Sequence, residues 1–430
     1  MKSYRMLIPA ALVGIMALSV FSFVRNKKSL QNNYEAYISS AEYCREEKLY
    51  VDAINYYKAA YDIQPSLELD KKIIDCYTEQ GNNVESLYEE LLDKYPKDQL
   101  AYEYAIEYYI LEKEYEEAYK IRQTSQKRKV HSDKIKEMLE EIQYYYKLAS
   151  TDFTEIGEYY NDYCIVKSEN EKYGITGTSG SLLLSCNYNK ISCFSSDYFA
   201  VVNNENEFYW IDTNGDRRKN YNGEETVIEL GPITEQIFWA KLENEKYAFY
   251  NSEGQKISNE YTETTNFSDG TAAVLDGSWY IVNAAMEHVN DIPYAMIITN
   301  ENGYVSNSGR LFVSEGIGYK MLDNSGNTVS DDLYENARLF IDGTAAAVQQ
   351  DGKWGFVNVN GEIVIKPEYE DARSFSNGFA AVQQDGKWGF IDTQNNMVIE
   401  PEFEDARDFN SLGKCYVLID GKWNLLSFYN

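Results

Sequence analysis

The chain has 430 residues, 44% hydrophobic and 25% charged, which is enough for two or three folded units and too apolar for a disordered chain. Its 40 Lys and Arg face 69 Asp and Glu, a formal net charge of −29 that excludes nucleic acid and opposes anionic lipid as partners for the bulk of the chain. Residues 151–430 hold 19 basic and 44 acidic side chains, so the acidity belongs to the C-terminal part.

Residues 6–24 are nineteen uncharged positions between Arg5 and Arg25. As a helix they rise roughly 28 Å, the thickness of a bilayer's hydrocarbon layer. The expectation is a membrane anchor within residues 1–30, with the bulk outside the cytoplasm; a cleaved signal peptide, or a cytoplasm-facing bulk, are the alternatives.

Residues 31–150 are rich in Glu, Lys, Ala, Leu and Tyr at helical spacing and predict an all-α segment of hairpin repeats. Over residues 37–65 the small Ala41, Ala53 and Ala60, with Tyr57 and Pro65, let two antiparallel helices approach closely. This stretch resembles a tetratricopeptide repeat. A second copy runs through Tyr102, Ala105, Tyr109, Tyr115 and Ala118, with Arg122 and Ser125 departing from the pattern, residues 67–98 form a shortened copy between them, and residues 131–148 predict a terminal helix. The resemblance implies a groove for partner peptides; a passive spacer is the alternative.

In residues 151–430 the decapeptide Ala-Val-Gln-Gln-Asp-Gly-Lys-Trp-Gly-Phe occurs at 347–356 and again at 381–390. Taking the Trp as anchor, about eight copies follow one another at Tyr173, Phe208, Tyr247, Trp279, Tyr319, Trp354, Trp388 and Trp423, about 36 residues apart on average. Each copy alternates as short strands around Asp-Gly and Asn-Gly turns. A single meander of that length cannot cover an indole, so neighbouring copies must cover one another. Gly355 and Gly389, inside strands, mark close approach of another group, expected to be an aromatic ring.

The Gly-Lys-Trp-Gly-Phe cores at Gly352 and Gly386 resemble the bacterial WG-repeat family. The resemblance implies a repeat domain without known chemistry. The physical reading is a β-propeller-like array, with an open β superhelix as the alternative, in which an N-terminal strand, suggested by the acidic-aromatic stretch at 153–160, completes the last copy.

Candidate chemistry is sparse. Only two histidines occur, and no C-x-x-C, phosphate loop or nucleophile elbow appears. The six cysteines read as free thiols, a Cys186–Cys193 bridge being the alternative. Glu370-Asp371 and Glu404-Asp405 recur beside Arg373 and Arg407 and read as local ion pairs rather than catalytic carboxylates. Asp212, Asn214 and Asp216 fit a turn better than a calcium loop, because a glycine stands at 223 where a bidentate Glu belongs. No cofactor, metal or catalytic residue is expected. The expected function is a membrane-anchored, non-catalytic scaffold binding a protein partner, with a cell-envelope or carbohydrate-binding protein as the alternative, since aromatic faces stack on sugars.

Overall fold

The computed structural model describes residues 7–192 and 198–429, with backbone alone over residues 7–26. The chain divides into two units, Met1–Tyr145 with Tyr429–Asn430, and Tyr146–Phe428.

In the first unit, seven helices occur among the described residues: α1 (Leu7–Glu46), α2 (Tyr50–Ile63), α3 (Leu67–Glu79), α4 (Glu85–Lys94), α5 (Gln99–Leu111), α6 (Tyr115–Lys127) and α7 (Asp133–Glu140). Ser66, Asp98 and Ser132 start α3, α5 and α7 by accepting the backbone N–H of Leu69, Leu100 and Ile135, donors the helix itself leaves unpaired. Ala41, Ala53, Tyr57 and Ala60 are fully buried in one cluster of α1, α2 and α3, and Ala105, Tyr109 and Ala118 belong to the next. The turns α1–α2 and α5–α6 repeat one geometry, with Lys48 and Lys113 at φ of 59° and 62°.

Two expectations for this region change. The terminal helix ends at Glu140, and Tyr146–Ser150 is a strand of the second unit. The single-pass membrane localisation is corrected: among the described residues no helix is long and apolar enough to cross a membrane. α1 is long, but from residue 27 onward it carries Lys27, Lys28, Glu35, Glu42 and Arg45, each costly in hydrocarbon. The apolar run at 6–24 that prompted the expectation falls at positions whose side chains are not described.

The second unit is an eight-bladed β-propeller of antiparallel sheets. Blades 1 to 7 span residues 153–188, 190–220, 227–251, 263–283, 296–323, 336–369 and 371–403. Blade 8 combines residues 405–428 with the strand Tyr146–Ser150, which pairs along Lys422–Phe428 from Tyr146 opposite Phe428 to Ser150 opposite Asn424. The ring is therefore closed, and its first strand completes the last blade. Blade 8 also packs on blade 1 through Tyr416, Trp423 and Leu425 against Ile156, Tyr159 and Val166, while Tyr416 Oη lies 3.2 Å from Thr176 Oγ1. Other apolar clusters are shared by neighbouring blades in the same way, such as Phe356 and Tyr369 of blade 6 with Phe375 and Val382 of blade 7. Each blade is a thin sheet whose two faces are covered only by its neighbours, which is why no copy stands alone.

Candidate functional site: a plugged central channel

The anchor residues occupy the third strand of their blades at Tyr173, Phe208, Tyr247, Trp279, Trp354, Trp388 and Trp423, and the fourth in blade 5, at Tyr319, where the short strand Ser306–Asn307 is added. In six blades the anchor lies opposite an aromatic 14 or 15 residues later: Tyr173 with Tyr188, Tyr247 with Tyr261, Trp279 with Tyr294, Tyr319 with Tyr334, Trp354 with Tyr369 and Trp388 with Phe403. Tyr294, Tyr334, Tyr369 and Phe403 are all buried. Those positions cannot offer ring faces to a repeated sugar site.

Gly355 and Gly389 sit beside a bulge. Trp388 pairs with Phe403 and Phe390 with Ile399, so two steps on one strand face four on the other, and the extra residues include Pro401, which has no N–H to contribute. A Cβ on Gly389 would lie 2.4 Å from the Ile399 carbonyl oxygen, and one on Gly355 would lie 2.6 Å from that of Ile365. The close neighbour is backbone, not the expected aromatic ring. The Asp-Gly turns have both residues left-handed, with Asp385 at φ 52° and Gly386 at φ 73°. Glu335, Glu370 and Glu404 accept the N–H of Gly352, Gly386 and Gly421 in these turns, which explains why an acid recurs at each corner.

The arginine that follows each corner turns to the channel. Arg338, Arg373 and Arg407 stand over the rings of Trp354, Trp388 and Trp423 in their own blades, at 5.1, 5.8 and 5.3 Å from the ring centres. Arg338 bonds Asp371 of the next blade at 3.0 Å, and Arg373 reaches Asp405 of the next at 3.8 Å. The ion pairs therefore join neighbouring blades, whereas the sequence reading placed them within one corner.

Blade 5 departs from the repeat. Between its strands at 296–297 and 310–314 the chain runs into the channel, and Gly303 N–H donates to Asn300 O in a tight turn. Blade 1 lies opposite in the eightfold ring, and there the Glu301 N–H donates to the Glu158 carboxylate at 3.3 Å. The Arg407 guanidinium of blade 8 donates to Glu301 Oε1 at 2.8 Å. Tyr304 stacks on Tyr160 of blade 1 with centroids 4.3 Å apart and planes 3° apart, while Asn266 of blade 4 donates to Asn302 O at 2.7 Å. Residues 299–304 thus form a plug held from three sides.

Carboxyls crowd the plug. Burial, with Asp408 and Glu301 nearby, pushes Glu158 up to about 7 against the pull of Arg373. Asp408 is also raised, burial outweighing Arg373 and Arg407. Glu158, Glu301, Asp408 and the plug were not singled out in the sequence, although one signal exists: Trp279 and Tyr319 are 40 residues apart, against 34 from Trp354 to Trp388. Among the described residues no cluster of His, Cys, Asp and Glu could hold a metal ion. Asp212 Oδ1 accepts the N–H of Asn214 and Asp216, forming a turn. Cys186 is a free thiol, and Cys193, its suggested partner, lies outside the described residues.

The fold and site define a closed eight-bladed propeller built from aromatic-anchored repeats around a plugged polar channel. The family model for the WG containing repeat matches residues 173–206, 321–354, 354–388 and 388–423, four of the eight copies; it lends no support to the tetratricopeptide likeness of the helical unit. No curated protein matches the chain in sequence. Among solved structures the chain is similar to BamB from Moraxella catarrhalis (TM-score 0.41, 12% identity, 66% of this chain and 98% of that one). Sqt1 from Saccharomyces cerevisiae (0.37, 10%, 66% and 97%) and a virginiamycin B lyase from Staphylococcus aureus (0.32, 12%, 66% and 100%) are also similar. At these scores the likenesses carry no argument about function.

Proposed function

We propose that this chain is a non-catalytic interaction protein that binds a protein partner, with the first helical hairpin as its principal contact surface. The observation that carries this reading is the grouping of exposed apolar side chains at the α1–α2 turn, where Tyr43 is 62%, Leu49 50% and Val51 65% exposed. The Leu49 N–H donates to Cys44 O, which holds the two sides of this patch together. Exposed large apolar groups concentrated at one spot favour burial by a partner. In the propeller, by contrast, the repeated aromatics are spent between strands and blades, which weighs against a carbohydrate-binding protein with one pocket per repeat.

The test is photo-crosslinking from position 51 in cells making the chain, followed by reconstitution with the purified captured protein. Tyr43→Asp with Val51→Asp should weaken that binding by about tenfold or more while leaving the helical content unchanged. Undiminished binding by the double variant, or no defined crosslinked species, would overturn the proposal.

A further inference from the structure

In each blade the turn leading into the anchor strand forms a tip. Tips and corners share one face of the ring, as the bonds from Gly352, Gly386 and Gly421 to the corner glutamates show. Seven tips consist of polar residues and glycine, among them Asp351-Gly352 and Asp385-Gly386. The tip of blade 5, between Arg310–Ser314 and Tyr319–Asp323, is instead Glu315-Gly316-Ile317-Gly318, and Ile317 is 92% exposed. Its two glycines allow the projection. Gly316 has φ 119°, closed to most side chains, and a Cβ on Gly318 would lie 3.1 Å from Tyr334 O. Met296, Ser314 and Tyr319 lie opposite one another across the strands and so share a face. Tyr319 Oη is 3.6 Å from Met296 Sδ, and Met296 is 44% exposed. These two residues, with Ile297 and Trp279 of blade 4, line a shallow groove of about 390 Å³. Leu333, one residue before the Tyr334 that pairs with Tyr319, points to the other flank of the tip and is 49% exposed. A lone exposed apolar residue needs no partner, but an isoleucine projected beside an apolar groove forms a patch.

Charge decides what covers it. Residues 263–335 hold 11 acidic and 2 basic side chains. Of the two bases, Lys320 is paired with Glu315, and Arg310 donates to the carbonyls of Val359 and Gly309. Glu263 lines the groove, while Asp276 on the tip of blade 4 and Asp291, Asp331 and Asp332 on the corners beside it are exposed. A purely apolar partner would strip water from these carboxylates without replacing it. A second copy meeting this face with its own would set like charges against one another. We propose that the tip of blade 5 and its groove are a docking surface for a basic segment of a partner protein, which seats an apolar side chain beside Trp279 and Tyr319 and sets flanking Lys or Arg against the acidic rim. This surface stands apart from the helical hairpin, and neither reading depends on the other.

The experiment is selection of a phage-displayed random dodecapeptide library on the full chain, followed by fluorescence-anisotropy titration of the enriched peptides made synthetically. Enriched peptides should carry an apolar residue flanked by Lys or Arg, and their affinity should fall as NaCl rises from about 50 to about 300 mM. Ile317→Asp should weaken them by about tenfold or more, although it adds a charge that attracts the basic flanks. Asp331→Asn with Asp332→Asn should weaken them by about threefold. Ile317 is too exposed to support the fold, so Ile317→Asp should melt as the parent does. Tyr43→Asp with Val51→Asp should leave peptide binding unchanged, which separates this surface from the hairpin. Enrichment of acidic or uncharged peptides, binding indifferent to Ile317→Asp, or no enrichment at all would overturn the proposal. A concentration-dependent dimer in sedimentation that Ile317→Asp abolishes would overturn it in favour of a second copy as the occupant.

Discussion

Adding one methyl group at Gly389 tests the packing that defines the repeat. In Gly389→Ala the new Cβ would lie 2.4 Å from Ile399 O, 2.8 Å from Pro401 N and 2.9 Å from Glu400 C. Relief to a 3.0 Å contact demands a shift of about 0.6 Å. The atoms that must move are backbone, fixed between the Trp388–Phe403 and Phe390–Ile399 pairs, so no side chain can swing away. Overpacking of this kind costs about 1–3 kcal/mol, and rigid neighbours place this site in the upper half. For a domain of this size that lowers the melting temperature by about 4–10 °C. All six tryptophans lie in the propeller, so tryptophan fluorescence during heating reports this unit without contribution from the helices. Lys387→Ala, one strand position from the Trp on an exposed residue, should stay within about 0.5 kcal/mol of the parent. The reasoning fails if Gly389→Ala is equally silent. It also fails if Phe403→Leu restores the variant, because that would mean a ring, and not the backbone, fills the space above the glycine.

Phe403 is fully buried opposite Trp388, so Phe403→Ala should destabilise the propeller by about 3–5 kcal/mol in the same fluorescence assay; a change under about 1 kcal/mol would refute its role as the partner of the indole. Ala149→Pro, in the closing strand opposite Leu425, removes a ladder donor and should speed amide hydrogen exchange along 414–428, an effect whose absence would argue against closure by Tyr146–Ser150. Glu158 keeps its proton to a higher pH folded than unfolded, so its ionisation opposes folding. Unfolding free energy should therefore fall as pH rises from about 4.5 to about 7, by on the order of 3 kcal/mol, and level off above. Glu158→Gln should flatten that slope in denaturant titrations, and an unchanged slope would show that another group governs it.

The repeat anchors were readable because an indole or phenol at a constant position, followed by an Asp-Gly or Asn-Gly turn, leaves only a short antiparallel meander open to the backbone. Closure was partly readable, since the sequence pattern allows an N-terminal strand to complete the last copy, but the acidic-aromatic stretch at 153–160 that suggested it opens blade 1 instead. The strand that completes the last copy, Tyr146–Ser150, was hidden in a segment that reads as helical. Its burial is that of an edge, exposed over Lys147–Ser150, so it lacks the apolar alternation that announces a strand. The corner acids looked like ion-pair partners of the arginine three residues away. In space the Glu closes a turn in its own blade and the Asp meets the arginine of the preceding one.

Sequence alone determined what is local and periodic: helices then strands, about eight aromatic-centred units, acidity confined to the β region, and no recognisable catalytic constellation. Tertiary structure decided everything that depends on which units face one another. Glu158, Glu301, Arg373 and Asp408 are separated by up to 250 positions in the chain, yet a ring of eight blades brings opposite members to one axis. Their protonation, pairing and shared cavity follow from burial and proximity, quantities that no spacing rule along a single strand of sequence contains.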